Sequence, residues 1–256
     1  MSAAELFRKV SGGGADTVVL AHAIGMDHRM WDELVPALSA THRVVALDLR
    51  GHGRSAVPAR PYSLEDMADD VVALLDELRV ERAHWVGLSM GAMIGMAFAI
   101  VHARRLGRLV LANTTSSYGP EGRAMWQARA KAVSEGGLAA IRDMVMGRYF
   151  SDDFREQHAD VVGKVARRFV ETPVEGYLGC CDAIADLDYG AELARIHART
   201  LVIAGEHDIG TPPAMSQAIA DRIPGAQLAV IGAAHLSAVE KPAEFARLVQ
   251  GFLSAP

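Results

Sequence analysis

The sequence predicts an α/β fold: a mostly parallel sheet with helices on both faces and a helical cap inserted between two core strands. Three observations carry that expectation. Short apolar runs recur between loops, as strands buried on both faces require. They alternate with helical stretches up to Asn113 and resume at Thr200. Between those points the period is helical and no convincing strand appears. Residues 1–113 and 199–256 are therefore expected to form the core, and residues 114–198 the cap. With 256 residues, 50% of them hydrophobic, the chain can bury one substantial core, and α/β chains of this length commonly form one structural domain.

Gly12-Gly13-Gly14 reads as a hairpin turn between the first two strands. Residues 17–22 are a strand, with Ala23-Ile24-Gly25-Met26 as its exit loop. Residues 43–48 are the next strand, and in the segment Arg50-Gly51-His52-Gly53-Arg54-Ser55 behind it the glycines allow a tight crossover. Residues 83–88 are a short buried strand, and residues 92–105 carry the small and apolar side chains of a packed helix. Met90, Met93 and Met96 recur there at helical spacing and read as core packing. Residues 108–113 are the following strand. The cap reads as four helices, at 123–135, 138–148, 153–170 and 174–185, the last with Pro173 just inside its start. Strands at 200–205 and 227–232 complete the sheet, each followed by a loop.

Composition narrows the function classes. A net charge of −5 without a basic run offers nothing to a nucleic acid backbone. The apolar stretch at 85–101 is interrupted by a polar turn and does not read as a membrane span. Residues 1–10 carry Glu5, Arg8 and Lys9 without the apolar core of a secretion signal, so a soluble, cytoplasmic protein is expected. Cys180 and Cys181 are adjacent, which suits neither an ordinary disulfide nor a metal site, and they read as buried packing residues. No heptad or edge signal assigns an oligomeric state, so monomer and homodimer both stay open.

The chemistry is concentrated in Gly87-Leu88-Ser89-Met90-Gly91, where one small nucleophile stands between two glycines at a strand-to-helix turn. Such a turn forces its central residue into a strained conformation and leaves no room for flanking side chains. It lifts the Ser89 hydroxyl off the sheet edge and leaves the Met90 N–H free to meet a developing oxyanion. A Gly-x-Ser-x-Gly string alone is often only a surface turn, so its partners decide. Asp208 lies in the loop after strand 200–205, with Glu206 and His207 as close competitors. His235 lies in the loop after strand 227–232. In that order His235 would take the Ser89 proton while Asp208 holds the imidazole's tautomer. An acid after the preceding core strand is the other arrangement, but that strand ends in the uncharged Asn113. The backbone N–H of Ile24 is the candidate second oxyanion donor, and each such donor is worth about 3 kcal/mol of barrier. His22 reads as a histidine that holds the shape of its own loop.

These parts, in this order and at the ends of these strands, resemble the α/β-hydrolase family over essentially the whole chain. The Arg50–Ser55 segment is another of its signatures, structural in role, which leaves His52 and Arg54 outside the chemistry. Residues 176–186, Trp126-Gln127-Ala128-Arg129 ahead of Gly136-Gly137, the Asn113-Thr114 strand exit, and Ala234-His235-Leu236-Ser237 with Val239-Glu240 resemble the 3-oxoadipate enol-lactonases of the β-ketoadipate pathway. The chain departs from that pattern at Ala92, where a third glycine is usual, and at Glu206 beside the acid. The resemblance implies a serine enzyme of aromatic catabolism that opens a five-membered lactone bearing an acetate arm, with no metal or organic cofactor.

An acetate arm needs a cation or several N–H donors. Arg129 is the candidate, with Trp126 one helical turn earlier as an apolar wall; the alternative is a solvated arginine beside a packing anchor. A general carboxylesterase or perhydrolase of the same fold stays open, because the same parts serve several ester chemistries. A hydrolase-fold receptor for a small lactone is the more distant alternative. Each would take a small-molecule lactone or ester.

Overall fold

The computed structural model describes residues 3–255. Seven strands form one sheet: β1 (Arg8–Ser11), β2 (Thr17–Ala21), β3 (Arg43–Leu47), β4 (Ala83–Leu88), β5 (Leu106–Ala112), β6 (Thr200–Gly205) and β7 (Gln227–Ile231). Their order is β1-β3-β2-β4-β5-β6-β7, and all neighbours are parallel except β1 against β3. Strands β2, β4 and β6 are almost wholly buried, which is why they read as near-continuous apolar runs.

Helices on both faces cover the sheet: α1 (Val35–Ser39), α2 (Leu64–Glu77), α3 (Met90–Val101), and, after β6, α9 (Pro213–Ala220), α10 (Ser237–Glu240) and α11 (Pro242–Ser254). Between β5 and β6 run α4 (Gly119–Gly136), α5 (Arg142–Tyr149), α6 (Asp152–Gln157), α7 (Ala159–Val170) and α8 (Val174–Ala185). The Ser63 hydroxyl caps α2 by accepting from the Asp66 N–H, and the helix buries a stripe containing Met67, Val71, Leu74 and Leu75. Helix α3 is buried on every side from Met90 to Ala99, and Met90, Met93 and Met96 pack in the core as expected. Among the described residues, no helix is long and apolar enough to cross a membrane.

Several sequence expectations need correction. The glycine run at 12–14 does not close a hairpin between neighbouring strands. β3 lies between β1 and β2, and the run crosses the Ser39–His42 backbone that leads into β3. The helix expected at 153–170 is two, because His158 leaves helical geometry at φ −127°, ψ 43° and stacks on Phe154, which stacks in turn on Phe150. The helix expected at 138–148 begins as a 3₁₀ turn, Leu138–Ile141, after Gly137 ends α4 at φ 65°. Pro173 is extended (ψ 127°) and precedes the first turn of α8 instead of lying within it. The helix expected to begin at Ala92 begins at Met90.

The topology selects where a ligand binds. The chain leaves β2 for β3 on one side and returns to β4 on the other, so the strand order reverses between β2 and β4. Open α/β sheets hold ligands at the carboxyl ends of strands beside such a reversal. The Ile24 loop follows β2 and Ser89 follows β4. The helices between β5 and β6 return to this edge: the α8 backbone at Gly176 packs so closely on the backbone at Gly51 that a Cβ on Gly176 would stand 2.1 Å from the Gly51 carbonyl oxygen.

Candidate active site

Ser89 sits at φ 56°, ψ −116°, between the end of β4 and the first turn of α3. The turn is possible because both flanking positions lack side chains. A Cβ at Gly91 would lie 2.0 Å from the Ala21 carbonyl oxygen, and one at Gly87 would lie 2.3 Å from that of Gly91. The Ser89 N–H donates to the Ala112 carbonyl (2.8 Å), and the Thr114 hydroxyl donates to the Ser89 carbonyl (3.1 Å), which pins the strained residue to β5.

The three side chains picked out at 89, 208 and 235 converge. Ser89 Oγ is 2.9 Å from His235 Nε2, and His235 Nδ1 is 2.8 Å from Asp208 Oδ2. All three residues are buried, and of the competing loop residues Glu206 and His207 are exposed while Asp208 is not. Asp208 Oδ1 accepts from the N–H groups of Gly210 (2.8 Å) and Thr211 (2.9 Å). Its Oδ2 accepts from the Thr211 hydroxyl (2.7 Å) and the Asn113 amide (3.0 Å) as well as from the imidazole. Burial alone would raise the Asp208 carboxyl, but the His235 charge and hydrogen bond, with those from Thr211 and Asn113, outweigh it and bring the group down to about 2. The carboxylate is thus ionised at neutral pH, and His235 Nδ1 carries the proton it accepts.

Asn113, at φ 47°, stands where the alternative acid would have been. Its amide also donates to the Ala234 carbonyl (3.2 Å), and its own oxygen accepts from the Ser237 hydroxyl (2.5 Å). It therefore joins the acid loop to the histidine loop. The sequence marked Asn113 as uncharged and as part of a characteristic strand exit, not as this bridge, and gave Thr211 no role, although its spacing of three after Asp208 was the available signal.

Met90 is the first residue of α3, so its N–H has no acceptor within the helix. Ile24 is held on both sides. The Ala23 carbonyl accepts from the Met26 N–H (3.1 Å) and pairs with His22 Nδ1 (2.8 Å), which turns the Ile24 N–H of the same peptide the opposite way. The next peptide is fixed by the Gly25 N–H donating to His52 Nε2 (2.8 Å) and by the Tyr149 hydroxyl donating to the Ile24 carbonyl (2.5 Å). His22 Nε2 also accepts from the Leu49 N–H (2.9 Å), so His22 holds its own loop and the next one together. Burial above all lowers both histidines, His52 to about 3 with proximity to His22 adding to the effect, and both rings remain neutral acceptors.

Arg129 and Trp126 lie on one face of α4, and Arg129 is buried, not solvated. Its guanidinium lies over the rings of Trp126 (4.9 Å to the centroid) and Tyr177 (5.5 Å). Among the described residues, Arg129 Nε and Nη2, Trp126 Nε1 and the Tyr177 hydroxyl are buried without a hydrogen-bond partner. Tyr149 adjoins the same guanidinium and stacks on His235, ring centroids 5.6 Å apart and planes at 18°, so this group of buried polar atoms borders the serine site.

Asp27, His28 and Asp48 bring ligand atoms within 4.8 Å of one another. They are already engaged: Asp48 Oδ1 accepts from the His28 N–H and pairs with its ring, and Asp27 pairs with Arg29. Cys180 and Cys181 are buried free thiols, as expected, and burial pushes Cys181 up to about 12.

The family described as alpha/beta hydrolase fold matches residues 16–242. The chain is 35% identical over 243 residues to 3-oxoadipate enol-lactonase 2 of Acinetobacter baylyi, covering 94% of this chain and 90% of that protein. It is 30% identical over 252 residues to the putative carbamate hydrolase RutD of Pseudomonas syringae, covering 97% of each. Among solved structures, the enol-lactonase from Burkholderia xenovorans LB400 superposes with a TM-score of 0.95 at 38% identity, covering 98% of this chain and 97% of that one.

Proposed function

The chain belongs to the alpha/beta hydrolase fold family, and from that premise we propose that it is a serine hydrolase that opens 3-oxoadipate enol-lactone to 3-oxoadipate in aromatic catabolism. Residues 1–113 and 199–256 act as the catalytic core and residues 114–198 as the cap that shapes the pocket and excludes water.

Ser89 Oγ attacks the ring carbonyl as His235 Nε2 takes its proton, and the Ile24 and Met90 N–H groups hold the oxyanion. Asp208, ionised and fixed by its donors, stabilises the imidazolium. The ring C–O bond breaks, and His235 returns the proton to the departing enolate, a weaker base than an alkoxide and so a less demanding leaving group. The opened arm stays tethered to the acyl-enzyme and must swing aside. Water then gives a proton to His235 and attacks the ester, and Ser89 leaves with that proton. Tautomerisation of the enol to the ketone makes the reverse reaction unfavourable.

The observation that carries this reading is Arg129. A buried guanidinium whose Nε and Nη2 have no hydrogen-bond partner, and which pairs with no carboxylate among the described residues, is costly to keep and suits an anionic substrate arm. A general esterase for neutral substrates would leave it without a counter-charge. Rates on freshly generated enol-lactone, on p-nitrophenyl acetate and with peroxide separate the readings. The lactonase reading requires kcat/KM on the lactone to exceed that on the acetate by orders of magnitude, and comparable rates on all three contradict it.

A further inference from the structure

Tyr149 is the last residue of α5, yet it reaches three parts of the candidate site. Its hydroxyl donates to the Ile24 carbonyl, its ring lies flat against His235, and its own carbonyl accepts from the Leu236 N–H (2.9 Å), next to that histidine. Two residues further along the chain, the Ser151 hydroxyl donates to the buried Glu240 carboxylate (2.5 Å), which also accepts from the Ala234 N–H (3.2 Å). The α5 terminus is thus fastened to the histidine loop on one side and to the Ile24 loop on the other.

The Ile24 anchors differ in origin. His22, Met26 and His52 belong to the sheet and its loops, whereas Tyr149 comes from the helices between β5 and β6. A donor N–H stabilises a tetrahedral oxyanion only when aimed at the place that oxygen will occupy, and small displacements are costly. We propose that Tyr149 is a positioning residue whose hydroxyl, held on the Ile24 carbonyl, aims the Ile24 N–H, so that seating α5 completes the oxyanion hole. This rests on the serine-hydrolase reading above. Burial keeps the Tyr149 phenol protonated, at about 12, so the hydroxyl remains a donor throughout the working pH range.

The test is Tyr149→Phe, which keeps the ring against His235 and removes only the donor. Expected are an unchanged Tm within about 3 °C, a kcat lower by about tenfold or more on the lactone and on p-nitrophenyl acetate alike, and little change in KM. An alkyl boronic acid, which becomes tetrahedral on Ser89, should bind more weakly by a similar factor, while a planar carboxylate product binds as before. Wild-type kcat and boronate affinity would overturn the proposal, and so would a loss confined to the anionic lactone, which would assign the hydroxyl to the polar group around Arg129. If Tyr149→Phe does not fold, fluorotyrosines at position 149 keep ring and hydroxyl and change only donor strength; kcat should follow that strength, and a flat response counts against the idea. Ser89→Ala, run alongside, separates the two levels. Full activity in Ser89→Ala would sink the nucleophile assignment, whereas an inactive Ser89→Ala beside an unimpaired Tyr149→Phe sinks only the role given to Tyr149.

Discussion

The Arg129 guanidinium lies 4.9 Å from the centroid of the Trp126 ring, three positions back on α4, and among the described residues it forms no ion pair with a carboxylate. The aromatic faces of Trp126 and Tyr177 partly offset its charge, but Nε and Nη2 have no hydrogen-bond partner among the described residues.

Arg129→Ala should therefore raise KM for the anionic lactone about 100-fold, as expected for losing one partner of a buried charge pair worth about 3 kcal/mol. KM for a neutral ester of similar size should stay within about threefold. Equal losses on both substrates would remove Arg129 from carboxylate binding. Arg129→Met should also raise Tm by a few degrees, roughly 2–4 °C per kcal/mol, because it removes an uncompensated buried charge. Differential scanning calorimetry without substrate checks this.

Asp208→Asn should lower kcat by about 10⁴, because an amide at this place no longer holds the imidazole with its Nδ1 proton inward. The carboxyl is held at about 2 against an ordinary 3.8, so its contribution to stability is complete above pH 3.8 and is lost as pH falls from there through 2. Acid unfolding of Asp208→Asn should consequently be less steep than wild type within that window, by about 2 kcal/mol over the whole of it. An equally steep wild type and variant between pH 4 and 2 would contradict the assignment.

His52 is held at about 3 instead of 6.5. The unfolded chain takes up this proton near pH 6.5 while the folded chain refuses it, so stability is full above 6.5 and declines as pH falls towards 3. His52→Gln, whose side-chain oxygen can still accept from the Gly25 N–H, should flatten the Tm-against-pH curve between pH 6.5 and 3. A slope unchanged in His52→Gln would mean that His52 is protonated in the folded protein.

How much of this was legible beforehand depends on whether a feature is local. The Ser89 turn announces itself because its two glycines answer a steric demand set by adjacent elements, β2 and α3. Asp208 and His235 could be placed because each follows an apolar strand, and β6 and β7 lie where those runs put them. The choice of Asp208 over Glu206 and His207 depends on which side chain turns inward, which burial shows and spacing does not. Tyr149 carried no signal at all. It is one aromatic residue in a helical stretch, and its contacts with Ile24 and His235, 125 residues away in the first case, exist only once α5 has folded back. The misplaced hairpin at 12–14 has the same origin, since local turn chemistry could not know that β3 would enter between β1 and β2. The break at His158 comes where its ring stacks on Phe154, with no adjoining proline or glycine to announce it.

The central claim is that the hydroxyl 2.9 Å from His235 Nε2 is the nucleophile that opens the lactone. Steady-state kinetics on freshly generated 3-oxoadipate enol-lactone, comparing wild type with Ser89→Ala at equal Tm, tests it most directly. The expected result is rapid turnover by the wild type and a loss of about 10⁴-fold or more in kcat for the variant. Turnover by Ser89→Ala within tenfold of wild type, or a wild type that leaves the lactone untouched, would contradict the account.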